Sequence, residues 1–262
     1  MTDKWNDAVI SKSMLAAKAS ARFGRTVHTD RPFHGFVLND PGCETVYCFS
    51  DGKVLHTREN ELFYLPKGSS YQVTSNPEDS AYVINFESDL LCEPFTMPLS
   101  DVMSVRKLFF DAAKEWELNE ENSQALVMKK LYGIILLTVY EVAKNNLRDV
   151  KSLIRGIQDM ANRFTESSLA IEELAALSDM TLSDFRRYFR KLFGLFPKEY
   201  LIRLRIKYAK SLLNLGSFSV SEVAALTGYS DLAHFSREFS KRTGISPSAY
   251  TKTNRKGNIK PF

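Results

Sequence analysis

From Val27 to about Leu90, short apolar or aromatic runs alternate with turn signals. The runs include Gly35 to Leu38, Thr45 to Phe49, Glu61 to Leu65 and Ala81 to Phe86; the separators are Asn39-Asp40-Pro41-Gly42, Asp51-Gly52, Pro66-Lys67-Gly68 and Asn76-Pro77. Closely spaced strands punctuated in this way predict an antiparallel sandwich or small barrel. Asp51-Gly52 is the clearest hairpin tip, where a two-residue primed turn uses the positive φ that Gly and Asp tolerate.

After Pro98 the period lengthens to that of a helix. Ser100 is placed to cap a helix from Asp101 to about Glu117, with Val102, Val105, Leu108, Phe109 and Ala112 on one face. A second helix is expected from about Glu121 to Asn145, and its centre is apolar nearly all round. Such a helix needs burial on two sides, between domains or against another subunit. From Asp149 onward no strand pattern is seen, and the chain reads as helices up to a basic tail, Lys252 to Lys260, that is expected to fray.

With 262 residues, 44% hydrophobic and 12% aromatic, the chain can fill the cores of two domains. Its longest apolar stretch, Gly133 to Val139, is too short to span a bilayer. The scattered Lys4, Lys12, Lys18, Arg22 and Arg25 lack the apolar block of a secretory signal. A cytoplasmic protein with no membrane partner is therefore expected. Cys43, Cys48 and Cys92 form no CxxC pair and no set with His at metal-ligand spacing, so they read as reduced thiols.

Net charge changes the picture only when the chain is divided. Residues 1 to 150 hold 16 Lys and Arg against 21 Asp and Glu, a balance of −5; residues 151 to 262 hold 19 against 10, a balance of +9. The second part suits a polyanion.

That basic part is also duplicated. Glu173-Leu-Ala-Ala-Leu177 recurs as Glu222-Val-Ala-Ala-Leu226 at an offset of 49. Phe185, Arg187, Phe189, Lys191, Gly194, Pro197 and Tyr200 recur as Phe235, Arg237, Phe239, Lys241, Gly244, Pro247 and Tyr250 at an offset of 50. A one-residue slip between two blocks is what a helix, a variable turn and a second helix produce. In the first copy Thr181 and Asp184 form a capping-box pattern, Phe185, Phe189 and Leu192 turn inward, and Ser183, Arg186, Arg187 and Arg190 are left outward. In the second, Thr227-Gly228-Tyr229 makes the turn and Ser230 is placed to cap. Phe235 and Phe239 then face the core, leaving Ala233, His234, Ser236, Arg237 and Lys241 for solvent or a partner. Arg can donate two hydrogen bonds to guanine and an Ala methyl can meet thymine, so this face suits the major groove.

Leu169-Ala-Ile-Glu-Glu-Leu-Ala-Ala-Leu177, Phe189-Arg-Lys-Leu-Phe-Gly194 with Pro197 and Tyr200, Ala224-Ala-Leu-Thr-Gly-Tyr-Ser230, His234-Phe-Ser-Arg-Glu-Phe-Ser-Lys241 and Gly244-Ile-Ser-Pro-Ser-Ala-Tyr250 together resemble the DNA-binding region of the AraC/XylS family of bacterial transcription regulators. The resemblance implies two helix-turn-helix subdomains joined by one linking helix, Lys198 to about Asn214, with recognition helices entering successive major grooves about 34 Å apart. It places base contacts on Ser183, Arg186 and Arg187, and on Leu232, Ala233, His234 and Arg237. Asp179 stands where the first turn often has Gly, and the turn is expected to survive because Asp tolerates left-handed backbone.

The N-terminal half is similar to the cupin-like sensor domain of many members, through Arg31-Pro-Phe-His34 and Leu65-Pro-Lys-Gly-Ser-Ser-Tyr71. Metal-dependent cupin enzymes usually place His after the Pro-x-Gly turn, near the position of Tyr71, and their earlier His-x-His cluster is missing, so metal catalysis is disfavoured. The expected fold is α+β: an N-terminal antiparallel, cupin-like β-barrel, then helices, then an all-α domain with two helix-turn-helix subdomains. The expected domains are residues 1–98 for ligand sensing, 99–148 as a helical dimerisation and linker region, and 149–262 for DNA binding. Arg31, His34, Tyr64 and Tyr82 are candidate effector contacts. Expected partners are double-stranded DNA, a small-molecule effector such as a sugar or other metabolite, RNA polymerase if the protein is an activator, and a second copy of the chain. No cofactor, bound metal or catalytic residue is expected: the four histidines are dispersed, and no nucleophile elbow or phosphate-cradling loop occurs. The rival expectation is an architectural DNA binder with no effector, which would gain affinity from phosphate contacts alone.

Overall fold

Nine strands are described in the computed structural model: β1 (Ile10–Ser20), β2 (Arg25–His28), β3 (His34–Asn39), β4 (Thr45–Phe49), β5 (Val54–Thr57), β6 (Glu61–Leu65), β7 (Tyr71–Ser75), β8 (Ser80–Ser88) and β9 (Phe95–Pro98). The structure describes residues 5, 8–20, 25–120, 122–144 and 152–257, with side chains to 253. The expected boundary at 148/149, the helix end at Asn145 and the tail from 258 lie outside the described residues. Contacts divide the chain into two units, Met1–Ala8 with Ser13–Ile134, and Val9–Lys12 with Ile135–Phe262.

In the first unit the strands build a five-stranded sheet, β1-β8-β3-β6-β9, and a four-stranded sheet, β2-β7-β4-β5. Val37, Phe63 and Leu65 of the first meet Tyr47, Phe49 and Tyr71 of the second in one buried cluster. The Tyr47 and Phe63 rings lie 4.3 Å apart. The other face of the larger sheet is covered too, where Trp5 stacks on Phe36 at 5.4 Å and meets the edge of Tyr64 at 4.9 Å. Covering both faces explains why β3 is buried at all six positions and reads as a run without alternation. The first and last strands, β1 and β9, were not legible in the pattern: β1 is rich in Ser, Ala and Lys, and β9 is only four residues long.

The hairpin tip falls at Asp51-Gly52, but the turn differs from the expected one. The Gly52 amide donates to Phe49 O at 3.0 Å, the Phe49 amide donates to Lys53 O at 2.8 Å, and positive φ occurs at Gly52 and not at Asp51. This is a three-residue loop with a Gly bulge. Asp51 instead accepts the Lys53 amide at 3.0 Å.

Helix α1 (Val102–Leu118) is capped by Asp101 and not by Ser100. Its carboxylate accepts the Ser104 amide at 3.1 Å and the Ser104 hydroxyl at 2.7 Å, and an ionised acceptor binds the free helix amides better than a hydroxyl. Arg106 fastens α1 to the sheet, donating to Asp40 at 3.0 Å and to the carbonyls of Asn39 and Glu59 at 2.8 and 3.1 Å. Asp40 also takes the Lys18 ammonium at 2.8 Å. Burial alone would raise its pKa, but Lys18, Ser80 and Arg106 outweigh burial and hold the carboxyl below its ordinary range. Helix α2 (Ser123–Lys144) is buried without a break from Leu131 to Glu141.

From residue 152 to 257 the second unit is helical, with α3 (Leu153–Arg163), α4 (Ile171–Leu177), α5 (Leu182–Phe193), α6 (Pro197–Leu215), α7 (Val220–Leu226), α8 (Leu232–Thr243) and α9 (Pro247–Gly257). α9 begins at a proline of the repeat and continues through Lys252, so the front of the expected frayed tail is helix.

Candidate nucleic-acid interface

The duplication is repeated in three dimensions. Helices α4 and α7 are each seven residues long, and α5 and α8 are each twelve. Each short helix ends with a buried hydroxyl turned back on its last turn: Ser178 Oγ donates to Leu174 O at 2.8 Å, and Thr227 Oγ1 donates to Val223 O at 2.7 Å. Left-handed residues follow, Asp179 at φ 52° and Gly228 at φ 82°. The expected survival of the turn with Asp is what the structure has.

The inserted residue can now be placed. The Met180 amide donates to Ala175 O and the Tyr229 amide to Ala224 O, each at 3.0 Å, so the offset is still 49 there. The next cap in the first copy is Thr181, and in the second it is Asp231, an offset of 50. Ser230 is therefore the extra residue and does not cap α8. The Asp231 carboxylate accepts the amides of Ala233 and His234 at 2.9 and 3.1 Å. Thr181 accepts the Asp184 amide at 3.1 Å, while Asp184 takes the Thr181 hydroxyl proton at 2.8 Å in place of the backbone bond of a full capping box.

Inward-facing side chains anchor both long helices. Phe185, Phe189, Phe235 and Phe239 are fully buried. Tyr200 meets Phe189 edge-on at 5.6 Å, and Tyr250 meets Phe239 edge-on at 5.4 Å. Gly194 and Gly244, both left-handed, stop the helices.

The opposite faces are open. Ser183, Arg186, Arg187 and Arg190 are exposed on α5; Leu232, Ala233, His234, Arg237 and Lys241 are exposed on α8, with Ser236 half-buried. Leu232 is 46% exposed, an unusual position for a large apolar side chain in the first turn of a polar helix. Nearby carboxylates hold the arginines loosely: Arg187 with Asp184 at 2.6 Å, Arg186 with Glu172 at 3.8 Å and Arg237 with Asp231 at 4.0 Å. Exposed pairs of this kind are worth at most about 1 kcal/mol, so a phosphate or base edge can displace them. Beside α5 lies an open cleft of about 620 Å³ lined by Leu182, Ser183, Arg186, Arg187, Arg190 and Phe196. The Arg190 guanidinium rests 4.7 Å from the Phe196 ring centre. Phe196 escaped the sequence analysis; the signal for it was a large apolar residue wedged between a helix-stopping Gly and the next helix's first-position Pro.

Of the four candidate effector contacts in the first unit, His34 and Tyr64 meet, while Arg31 and Tyr82 bond elsewhere. His34 Nδ1 accepts the Lys67 amide at 3.2 Å, which makes it the unprotonated ring nitrogen, and the Tyr64 hydroxyl donates to it at 2.8 Å. Burial keeps the pKa of His34 below its ordinary value. Arg31 donates to the Tyr71 hydroxyl at 2.7 Å and to Asn85. Tyr82 lies under the Lys18 ammonium at 5.6 Å. None of the four lines the cavity of about 330 Å³ in this unit. Its apolar part is formed by the buried Val37 and Tyr47 and the half-buried Val83, and Arg25 and His28 stand exposed at its edge with the buried Asp79. These residues gave no pattern in the chain, because they come together from four strands and one loop. Among the described residues no group of three or more His, Cys, Asp or Glu is placed to hold a metal ion. Nor is any described helix long and apolar enough to cross a membrane.

Comparison with known proteins adds to this geometry. A family model described as a helix-turn-helix domain matches residues 174–253. The MmsAB operon regulatory protein of Pseudomonas aeruginosa is 33% identical over 111 residues, 42% of this chain and 36% of that protein. The lactose operon transcription activator of Staphylococcus xylosus is 29% identical over 216 residues, 76% of this chain and 77% of that protein. The chain thus spans about a third of the first relative's length and about three quarters of the second's. Among solved structures, the DNA-binding domain of AdpA in complex with a target DNA is 30% identical, with 42% of this chain and 98% of that chain covered and a TM-score of 0.40. The matched model covers 80 of the 262 residues, and both relatives are named for control of an operon.

Proposed function

We propose that this chain, which joins an AraC/XylS-type helix-turn-helix domain to an N-terminal β-rich domain, is a transcriptional regulator that reads double-stranded DNA with α5 and α8. The observation that carries the proposal is the paired outward face. Two helices of equal length, held by duplicate cores, expose Ser183, Arg186, Arg187 and Arg190 on one and Leu232, Ala233, His234, Arg237 and Lys241 on the other. Ser236 sits half-buried beside them. The test is selection from a pool of random duplexes by the full chain, followed by footprinting against excess competitor DNA. Enrichment of a defined sequence supports the proposal, whereas uniform protection would establish the architectural alternative.

The cavity beside Arg25 and His28 is the proposed effector site, in preference to Arg31, His34, Tyr64 and Tyr82. Its apolar interior and cationic, hydroxyl-bearing edge suit a small amphipathic metabolite. A thermal-shift screen of metabolites on the full chain tests this, with Val83→Trp expected to abolish any shift. Activation through RNA polymerase is supported by the relative named as a transcription activator. Dimerisation through residues 99–148 is supported by Met103, Phe110 and Leu118, all more than half exposed on α1. Sedimentation of the full chain and of Phe110→Glu tests the dimer.

A further inference from the structure

The middle of the linking helix α6 carries one side chain that touches both halves of the duplicated domain. Arg205 Nε donates to Phe164 O at 2.7 Å and its Nη2 donates to Glu166 O at 2.6 Å. Both carbonyls belong to the turn between α3 and α4, in the first half. Its Nη1 donates to Gly228 O at 3.2 Å, in the turn between α7 and α8 of the second half. The two turns are in backbone contact here: a Cβ on Gly228 would lie 2.7 Å from Thr165 O. The guanidinium also lies 5.9 Å from the Tyr229 ring, whose edge contacts reach His234 and Phe235 at 5.5 and 5.3 Å on α8.

We propose that Arg205 is the positioning residue that sets the spacing and rotation of the two recognition helices, so that α5 and α8 engage DNA as one rigid reader. The guanidinium alone among side chains offers five donors in a planar fork. Its three partners are main-chain carbonyls, which cannot turn away as a carboxylate side chain can. Among the described residues no carboxylate pairs with Arg205. Burial lowers its pKa from the ordinary arginine value. A charge kept in that setting by main-chain carbonyls and an aromatic ring, without a carboxylate, fixes geometry more than it contributes attraction. A second tie acts at the other end of α8, where Arg242 donates to both oxygens of Glu199 in the first turn of α6 at 2.7 and 3.0 Å. Of the two arginines, Arg205 is the one whose hydrogen bonds also reach the turn between α3 and α4.

The inference rests on the DNA-reading proposal, and the experiment separates the two. The full chain and its Arg205→Gln and Arg205→Lys forms each select from a random duplex pool, and the enriched duplexes are then tested with two boxes and with one. The wild type is expected to enrich paired boxes at one fixed spacing. Arg205→Gln is expected to keep the sequence of each box while its spacing preference spreads. Its affinity falls roughly tenfold on the paired duplex, as linked modules become independent, and holds within about twofold on a single box. Arg205→Lys, which retains the charge and can reach one carbonyl, is expected to fall between; it decides the matter if Arg205→Gln melts below the assay temperature. Variants that enrich the same pair at the same sharp spacing overturn the inference. Equal losses on paired and single boxes also overturn it, since they mark a residue that serves folding alone. A wild type that enriches nothing overturns the DNA reading instead.

Discussion

In the first helix-turn-helix half the long helix offers Arg186, Arg187 and Arg190 to solvent, whereas the matching surface of the second offers Leu232, Ala233, His234 and Arg237. Underneath, the halves are nearly superimposable in their contacts. Phe185 and Phe189 lie 5.8 Å apart and Phe235 and Phe239 5.7 Å, and each pair is closed by a tyrosine edge. The inward residues are constrained by close packing, where a change of one methylene is felt. The outward ones are free to differ, so difference on this face marks a division of labour. Under the proposed function, the first half would attract phosphate and guanine and the second would test shape and thymine methyls.

The largest expected effects test whether the cores are equivalent. Phe189→Ala and Phe239→Ala should each destabilise their own half by about 3 to 5 kcal/mol, the usual cost of removing a buried Phe. Urea melts followed by tryptophan-free probes in each half would report it; a loss confined to one variant breaks the symmetry. Next comes the left-handed pair. Gly228→Ala should cost roughly 2 to 4 kcal/mol, from left-handed strain and from the clash with Thr165 O. Asp179→Gly should change stability by less than about 1 kcal/mol, because relief of strain is offset by loss of the exposed Arg155 pair. On DNA, Arg187→Ala and Arg237→Ala should each cost about 1 to 3 kcal/mol at a selected site with the fold unchanged. An equal loss on random duplexes would make either arginine a phosphate contact.

Much of this contrast was open to sequence analysis, for a physical reason. A buried aromatic at helical spacing, a helix-stopping Gly and a first-position Pro are each demanded by backbone geometry, so two copies of the set reveal the domain. The caps were harder. Ser100 and Ser230 are acceptable caps in isolation, yet an aspartate directly follows each, and the ionised carboxylate takes the role. The duplication itself held the correction: at the offset of 50 that governs α8, Thr181 corresponds to Asp231. β1 and the cavity were illegible because they depend on contacts between distant segments, and polar strand residues facing a small cavity leave no period. Arg205 was equally hidden, since its partners are carbonyls and carbonyls have no sequence signature.

The smallest expected effect concerns the first turns of α4 and α7. Ala170 at the start of α4 gives no side-chain cap, whereas Ser219 at the start of α7 forms a full capping box with Glu222. The Glu222 carboxylate accepts the Ser219 amide at 2.7 Å, and the bonds from Ser219 hold its pKa below the ordinary 4.5. A carboxyl whose folded pKa is depressed contributes stability that is fully present above the unfolded value and is lost as pH falls through the folded one. Acidification from pH 6 to pH 3 should therefore loosen α7 while the cap-less α4 feels nothing from this source. Glu222→Gln keeps an acceptor at the same position but cannot titrate. The stability difference between wild type and Glu222→Gln in urea melts should be constant above about pH 5 and shrink or reverse below pH 4. A difference that stays flat across the whole range would mean that the box acts through hydrogen-bond geometry without its charge, and that the two halves share the same acid response.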